Sequence, residues 1–127
     1  MTLAIWRPVV THPLRYEVSR NGDVRALAWY HPMLKRQMPP LLLAQGVGGR
    51  AKNYARVMLA NPKRHAYVHH LMAEAFLGDR PEGLMILHRD DNGFNNRIDN
   101  LRYGDREENE MDRHVARVAP HLEKAPF

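Results

Sequence analysis

Apolar residues recur at helical spacing just past the middle of the chain and predict one helix there. The stripe consists of Val68, Leu71, Met72, Ala75 and Phe76. Because residues three and four apart share one face of a helix, this helix should pack against the core. Gly78 is expected to end the helix, and Pro81 prevents it from resuming early.

The pattern after this helix predicts a strand, a polar loop, a second strand and a charged helix. Residues 84–88 are apolar up to a terminal histidine, which predicts a buried strand. Residues 89–96 form a polar loop with an Asn-Gly turn signal, and residues 96–101 lead into the second strand. Asp105 should cap the last helix, because Glu108 completes a variant capping box three positions later.

The first half of the chain predicts a small β-hairpin. Residues 16–18 are β-prone, and Asn21-Gly22 is a strong turn signal because both positions tolerate positive φ. Residues 24–28 then alternate as the return strand. We interpret Trp6 as an apolar core anchor in preference to a base-stacking residue.

A second hairpin is predicted between this module and the central helix. Its strands are residues 54–60 and 65–68, joined by an Asn-Pro-Lys-Arg turn. Prolines interrupt regular structure in residues 29–53. The GVGGR segment near the end of that stretch lacks the hydroxyl residue of a nucleotide-binding phosphate loop, so we interpret it as a mobile hairpin tip.

Composition narrows the classes of protein and partner. The 127 residues suit one domain, or two small modules that share a core, and 44% of them are hydrophobic. There is no cysteine, which excludes disulfides and cysteine-based zinc sites. The net charge of +5 favours a polyanionic partner, with nucleic acid ahead of an acidic membrane surface. No apolar run or basic leader predicts a membrane span or a secretory signal, so a cytosolic protein is expected.

Three polar residues in the second half are candidates for a functional site. They are His88 at the end of the apolar strand, Asn100 before the second strand and Asn109 in the last helix. His88 and Asn109 can converge only if the strand and the helix pack together, as they do in a ββα unit. The predicted fold class is therefore α+β, with β-hairpins followed by a ββα core.

Two adjacent histidines, His69 and His70, lie at the start of the central helix. Paired histidines suggest a metal site, but adjacent helical residues point about 100° apart. Structural or phosphate-contacting roles are therefore favoured over joint ligation of a metal.

The sequence resembles the phage-type and intron-type HNH homing endonucleases. HRDDNGFNNRIDNL followed by REEN is similar to the nuclease motif of that family in its HNN version, with separations of 12 and 9 between the three candidate residues. The segments YARVMLA and VHHLMAEAF resemble the strand and helix that enter the domain. WRPV and YEVSRNGDVRAL resemble a β module that often precedes it. The resemblance implies a β module over residues 1–66, a ββα-metal (His-Me finger) nuclease domain over 67–118, and a tail over 119–127.

The resemblance also implies the chemistry and the role of each candidate. It implies a metal-dependent DNA endonuclease, with a nickase as the expected form because one ββα site cuts one strand. His88 would be the general base, Asn109 a ligand of Mg²⁺ or Mn²⁺, and Asn100 a support for the loop and for the geometry of the histidine.

One position departs from the family pattern. The residue before the catalytic histidine is usually Asp, Asn or His, and it can supply a second metal ligand. Here it is Leu87, which cannot coordinate a metal, although the carboxylate of Asp90 or Asp91 could reach one. An active nuclease and a catalytically silent DNA-binding or accessory protein therefore both stay open, with RNA as a weaker substrate alternative.

Basic residues on the N-terminal hairpins are the predicted contacts to double-stranded DNA. These residues are Arg25, Arg50, Lys52, Lys63 and Arg64. No membrane partner is expected. The cytoplasm of a bacterial or phage-infected cell is the compartment that the resemblance implies.

Overall fold

The computed structural model describes residues 5–118 and shows an α+β protein built from short strands, as predicted. The predicted tail over residues 119–127 lies outside the described residues. In chain order, the strands are β1 (Trp6–Pro8), β2 (Tyr16–Ser19), β3 (Val24–Ala26), β4 (Trp29–His31), β5 (Arg36–Met38), β6 (Leu41–Leu42), β7 (Gly46–Gly48), β8 (Tyr54–Leu59), β9 (Arg64–Tyr67), β10 (Met85–His88) and β11 (Leu101–Gly104). The helices are α1 (Val68–Met72), which continues as a π-helical turn (Ala73–Leu77), and α2 (Arg106–Val118).

The N-terminal strands form an antiparallel sheet in the order β1-β2-β3-β6. The predicted hairpin is present, with Val18 opposite Val24. Gly22 in its turn has a φ of +89°, a backbone conformation that glycine adopts without strain. The Trp6 ring is partly exposed and lies under the guanidinium of Arg25, whose Cζ is 3.9 Å from the ring centroid.

The second predicted hairpin is the pair β8–β9, and β7 extends it to a three-stranded sheet. Residues 65–68 were predicted to continue the strand, but β9 ends at Tyr67 and α1 starts at Val68. The apolar stripe of this helix packs on β8, β9 and β2. Gly78, with a φ of +78°, follows the π-helical turn as predicted.

The ββα unit is formed by β10, β11 and α2. Strands β10 and β11 pair antiparallel, with His88 opposite Leu101 and Met85 opposite Gly104. The predicted capping box starts α2: the Glu108 amide donates to the Asp105 carboxylate at 2.9 Å, and the Asp105 amide donates to the Glu108 carboxylate at 3.2 Å.

One hydrophobic core joins the two halves of the chain. It contains Val18 and Val24 from the N-terminal sheet, Leu59 from β8, Leu71 from α1 and Leu101 from β11. The backbone amide of Ile98 also donates to the carbonyl of Arg20 at 2.9 Å. The loop between β10 and β11 is therefore held by the N-terminal sheet as well as by its own strands.

The sequence patterns did not predict four strands between residues 29 and 48. Strands β4 and β5 form a separate hairpin, and the prolines that obscured it lie outside the strands, in the turn and beyond β5. The GVGGR segment is not a hairpin tip at its start, because its first three residues form β7 and pair with β8. Glycine-rich strands lack the alternating side chains by which strands are recognised.

Within residues 5–118, no helix combines the length and the apolar character needed to cross a bilayer.

Replacing Gly93 by alanine should unfold or shift the loop between β10 and β11. A Cβ at this position would overlap the carbonyl oxygen of Asn53 and lie 2.7 Å from the Tyr54 ring, so the loop could not dock on β8. We expect a loss of about 1–3 kcal/mol in the free energy of unfolding, measured by urea denaturation. Gly46→Ala is the matched control, because its Cβ would meet only the Arg56 carbonyl oxygen at 4.0 Å. Equal stability of the two variants would contradict the docking.

Candidate active site

Strand β10 ends by placing the His88 ring in the interior of the ββα unit. The side chain is buried, with 7% of its surface exposed. Its Nε2 atom lies 2.8 Å from Oδ1 of Asn96, which is itself 4% exposed. His88 is thus fixed by a contact within the loop that follows its own strand.

Aromatic rings surround His88 on the side of α1 and β8. Its ring centroid is 5.0 Å from that of His69 and 6.0 Å from that of Tyr54. His69 in turn lies 4.9 Å from Tyr54 and 4.6 Å from His70. His69 therefore forms part of the wall next to His88, and His70 lies against His69.

Burial keeps these imidazoles neutral. It lowers the pKa of His88 below the ordinary 6.5, although the Asn96 contact and the nearby Asp90 and Asp91 act in the opposite direction. Burial, with repulsion from His70 and His88, lowers the pKa of His69 to about 3. At neutral pH His88 therefore carries the free lone pair that a general base requires.

Asn100 closes the loop after β10. Its Nδ2 donates to the Asp90 carboxylate at 2.9 Å and to the Asn95 carbonyl at 2.8 Å, and its Oδ1 accepts from the Asp90 amide at 3.2 Å. Asn95 donates to the other oxygen of Asp90 at 2.8 Å. Burial would raise the pKa of Asp90, but the hydrogen bonds from Asn95, Asn92 and Asn100 outweigh it and lower the pKa. These contacts engage both Asp90 oxygens within the loop.

His88 and Asn109 line one cleft of about 280 Å³. Asn109 lies in the first turn of α2, where its amide donates to the Asp105 carbonyl at 3.1 Å. The cleft is also lined by Tyr54, Asp91 and Arg113. A candidate base and a candidate ligand thus face the same space, which a shared phosphate would require.

Arg102 of β11 links the strands of the ββα unit to α2. Its guanidinium donates to both oxygens of the Asp112 carboxylate at 2.9 and 3.0 Å, and to Glu108 at 3.0 Å. Glu108 and Asp112 flank Asn109 in sequence and lie one helical turn apart. One guanidinium nitrogen donates to both Asp112 oxygens and the other donates to Glu108, so Arg102 ties β11 to the part of α2 that carries Asn109.

The cleft offers oxygen donors to a metal, but few of them. Asn109 supplies an amide and Asp91 a carboxylate, whereas Leu87 is 2% exposed and contributes only carbon. Among residues 5–118, no group of three or more histidine, cysteine or acidic side chains is placed to hold a metal ion. Such a sparse set suits Mg²⁺ or Mn²⁺, because Mg²⁺ keeps several waters and takes further ligands from a phosphate. The residues present therefore fit a weakly held hard cation.

The five predicted DNA-contacting residues differ in their surroundings. Arg50 and Lys52 are exposed in the turn between β7 and β8, next to the cleft residue Asn53. Lys63 is exposed near the opposite end of β8 from Arg50 and Lys52. At the rise of a β-strand, the length of β8 separates the two ends by about 17 Å. Arg25 and Arg64 are held in ion pairs with Glu17 and Glu74 at 2.6 and 3.2 Å, respectively.

The sequence patterns missed two neighbours of His88, whereas Asp91 was one of the two carboxylates named as able to reach a metal. Asn96 was assigned only to the loop, and Tyr54 only to a strand. Asp91 has a φ of +58°, which turns the chain after Asp90 and places Asp91 beside the cleft. The signal for Asn96 was its position in a polar loop directly after His88. Tyr54 carries no comparable local signal, because it is brought in by packing.

Comparisons with known proteins show what this part of the chain is similar to. Residues 66–111 match the family model described as HNH endonuclease. A solved structure, reported under "DNA binding and cleavage by the HNH homing endonuclease I-HmuI", is similar to the chain with a TM-score of 0.63 and 26% sequence identity. The match covers 92% of this chain and 63% of that one, so the chain spans less than two thirds of that protein. No curated protein matches the chain.

The buried His69 should make folding stability depend on pH. The unfolded chain binds a proton at this residue below pH 6.5, whereas the folded protein does so only near pH 3, so the free energy of unfolding should fall as the pH falls between these values. His69→Phe should reduce that slope by up to about 1.4 kcal/mol per pH unit, measured by urea denaturation at pH 7, 6 and 5. His65→Phe, at an exposed position of β9, is the matched control. An unchanged slope in His69→Phe would refute the neutral buried state.

Proposed function

We propose that the protein is a DNA endonuclease that hydrolyses phosphodiester bonds, because residues 66–111 match the family model described as HNH endonuclease. The observation that carries the proposal is the cleft shared by His88 and Asn109. The similarity to a structure of DNA cleavage by an HNH homing endonuclease supports DNA as the substrate.

In the proposed reaction, His88 acts as the general base. Its buried and neutral imidazole accepts a proton from water, and the hydroxide attacks the phosphorus atom of the scissile phosphate. The bond to the leaving 3′ oxygen then breaks. Asn100 does not contact the phosphate in this scheme: it supports the loop that holds His88, through its bonds to Asp90 and Asn95.

Asn109, aided by Asp91, would hold a divalent cation, Mg²⁺ or Mn²⁺. Such an ion supplies positive charge to the phosphate and to the developing charge on the leaving oxygen when bound. Arg113 lies 3.8 Å from Asp91 and lines the same cleft, so it can share that carboxylate in the free protein. With one cleft of this kind in the ββα unit, the expected product is a nick in one strand.

The N-terminal module, residues 1–66, would provide the first contacts to duplex DNA. Arg50 and Lys52 support this role best, because they are exposed beside the cleft. Arg25 and Arg64 would have to leave or share their carboxylate partners, so they are weaker candidates.

A catalytically silent DNA-binding or accessory protein is the second candidate function. It is favoured by Leu87, which occupies the position before the base with a buried aliphatic side chain. Leu87 lines the cleft beside His88, so an apolar side chain occupies a position from which a polar one could bind the cation.

Conversion of supercoiled plasmid to the nicked form, in Mg²⁺ and in Mn²⁺, tests the two candidates. We expect nicking by the wild type and its loss in His88→Ala, because the variant lacks the imidazole that accepts the proton in the proposed reaction. Leu87→Asp should raise the nicking rate in Mg²⁺ at equal folded concentration, since it adds a carboxylate beside the base. The double variant Leu87→Asp, His88→Ala should stay inactive.

Intact DNA binding without cleavage by the wild type or Leu87→Asp would support the silent candidate. Strong cleavage by the wild type that is lost in Leu87→Asp would show that the cation is held elsewhere. Urea denaturation of each variant is needed alongside, because Leu87 is buried against Gly104, and a buried carboxylate there costs stability.

The contribution of the basic turn should appear in the salt dependence of DNA binding. Each phosphate contact releases condensed counterions, so log affinity falls with log salt by about 0.9 per contact. Replacing both Arg50 and Lys52 by glutamine should weaken binding and reduce this slope by roughly two contacts. Lys63→Gln, at the far end of β8, is the control and should change the slope less. Identical slopes for all three proteins would show that the turn does not contact the DNA phosphates.

A further inference from the structure

We propose that Asn96 is a positioning residue that selects the atom of His88 used as the base, and that the N-terminal sheet holds Asn96 in place. The inference rests on the proposed nuclease function. It adds a role for a residue of the loop and a second role for the first half of the chain.

The contact between Asn96 and His88 fixes the tautomer of the imidazole. An amide oxygen only accepts hydrogen bonds, so Nε2 of His88 must carry the hydrogen that it donates to Oδ1 of Asn96 at 2.8 Å. The lone pair of the neutral ring is then on Nδ1. Only this nitrogen can take a proton from water, because Nε2 is occupied by its own hydrogen bond.

The aromatic neighbours of His88 do not make this selection. His69 meets the His88 ring edge to face, and Tyr54 lies at a tilt of 31°. Such contacts restrict where the ring can lie, but they do not distinguish its two nitrogens. Rotating the ring by half a turn would leave the buried oxygen of Asn96 without a donor, which costs about 1–3 kcal/mol for a buried polar group.

The β2–β3 turn of the N-terminal sheet contacts the backbone of Asn96. A Cβ at Gly22 would lie 3.0 Å from the Asn96 carbonyl oxygen, so the β2–β3 turn already touches this backbone closely. Gln45 donates to the Gly22 carbonyl at 2.9 Å, and Ile98 donates to the Arg20 carbonyl at 2.9 Å. Strands far from the cleft in sequence therefore set the position of the residue that orients the base.

Nitrogen-15 NMR of the His88 side chain tests the orientation without requiring cleavage. In the wild type at neutral pH, the long-range couplings should show the hydrogen on Nε2. Asn96→Ala should give a mixture of tautomers or a shift toward Nδ1–H, whereas Asn21→Ala, on the exposed β2–β3 turn, should resemble the wild type. A wild-type ring with its hydrogen on Nδ1, or an unchanged Nε2–H form in Asn96→Ala, would overturn the proposal.

Single-turnover kinetics distinguish a role of Asn96 in orienting His88 from a purely structural role. Asn96→Ala should lower the single-turnover nicking rate by roughly 100-fold, at the low end of a general-base contribution, with the Kd for DNA unchanged. Asn96→Asp keeps an acceptor and adds a charge, so it should recover most of the rate and move the acid limb of the pH–rate profile to higher pH. The new carboxylate would add to the negative charge that Asp90 and Asp91 already place near His88. His69 is the imidazole that faces the His88 ring.

Asn21→Asp adds the same charge on the exposed turn and should leave the acid limb in place. Equal rates and equal profiles for the Asn96 variants and the wild type would refute the positioning role. If the wild type does not cleave but NMR shows the Asn96-dependent tautomer, the nuclease function fails and the orientation of His88 stands. If cleavage requires His88 but is indifferent to Asn96, the nuclease function stands and the positioning role fails.

Discussion

The site depends on the hydrogen bonds that the Asp90 carboxylate accepts inside the loop between β10 and β11. Asn95 and Asn100 bind its two oxygens, and Asn100 also reaches back to the Asp90 amide and the Asn95 carbonyl. The chain has no cysteine with which to staple this loop by a disulfide or a thiolate-bound metal. A closed network of amides around one ionised carboxylate performs that task inside the loop that presents Asn96 and Asp91.

The two halves of the protein are joined through the same loop. Gly93 rests against Asn53 and Tyr54 of the β8 region, while Gly22 rests against Asn96. The cleft therefore has walls from the central sheet, the loop and α2. The hydrogen bonds of Arg102 hold α2 in its position. Geometry at His88 is a property of the whole core, which explains how so small a ββα unit can bury a polar ring.

The sequence predicted the ββα unit well because its signals are local. Gly78 at a helix end, the apolar run before His88 and the capping box of Asp105 and Glu108 each depend on neighbours in the chain. The contacts of Asn96 with His88 and of Gly93 with Asn53 depend on packing between distant segments, and no periodicity reports them. Strand β7 was missed because glycine gives no alternation, and Leu87 was recognised as a departure only through comparison with a family pattern.

The β4–β5 hairpin stands apart from this coupled core. Its residues are exposed or only partly buried, including Trp29, Tyr30 and Leu34, and within residues 5–118 its two strands pair only with each other. Its backbone hydrogen bonds can therefore open without disturbing the rest of the molecule, as a unit of low local stability. Insertions or sequence changes at its tip would have little effect on the global free energy of unfolding. This hairpin is thus a part of the surface that can diversify while the cleft stays the same.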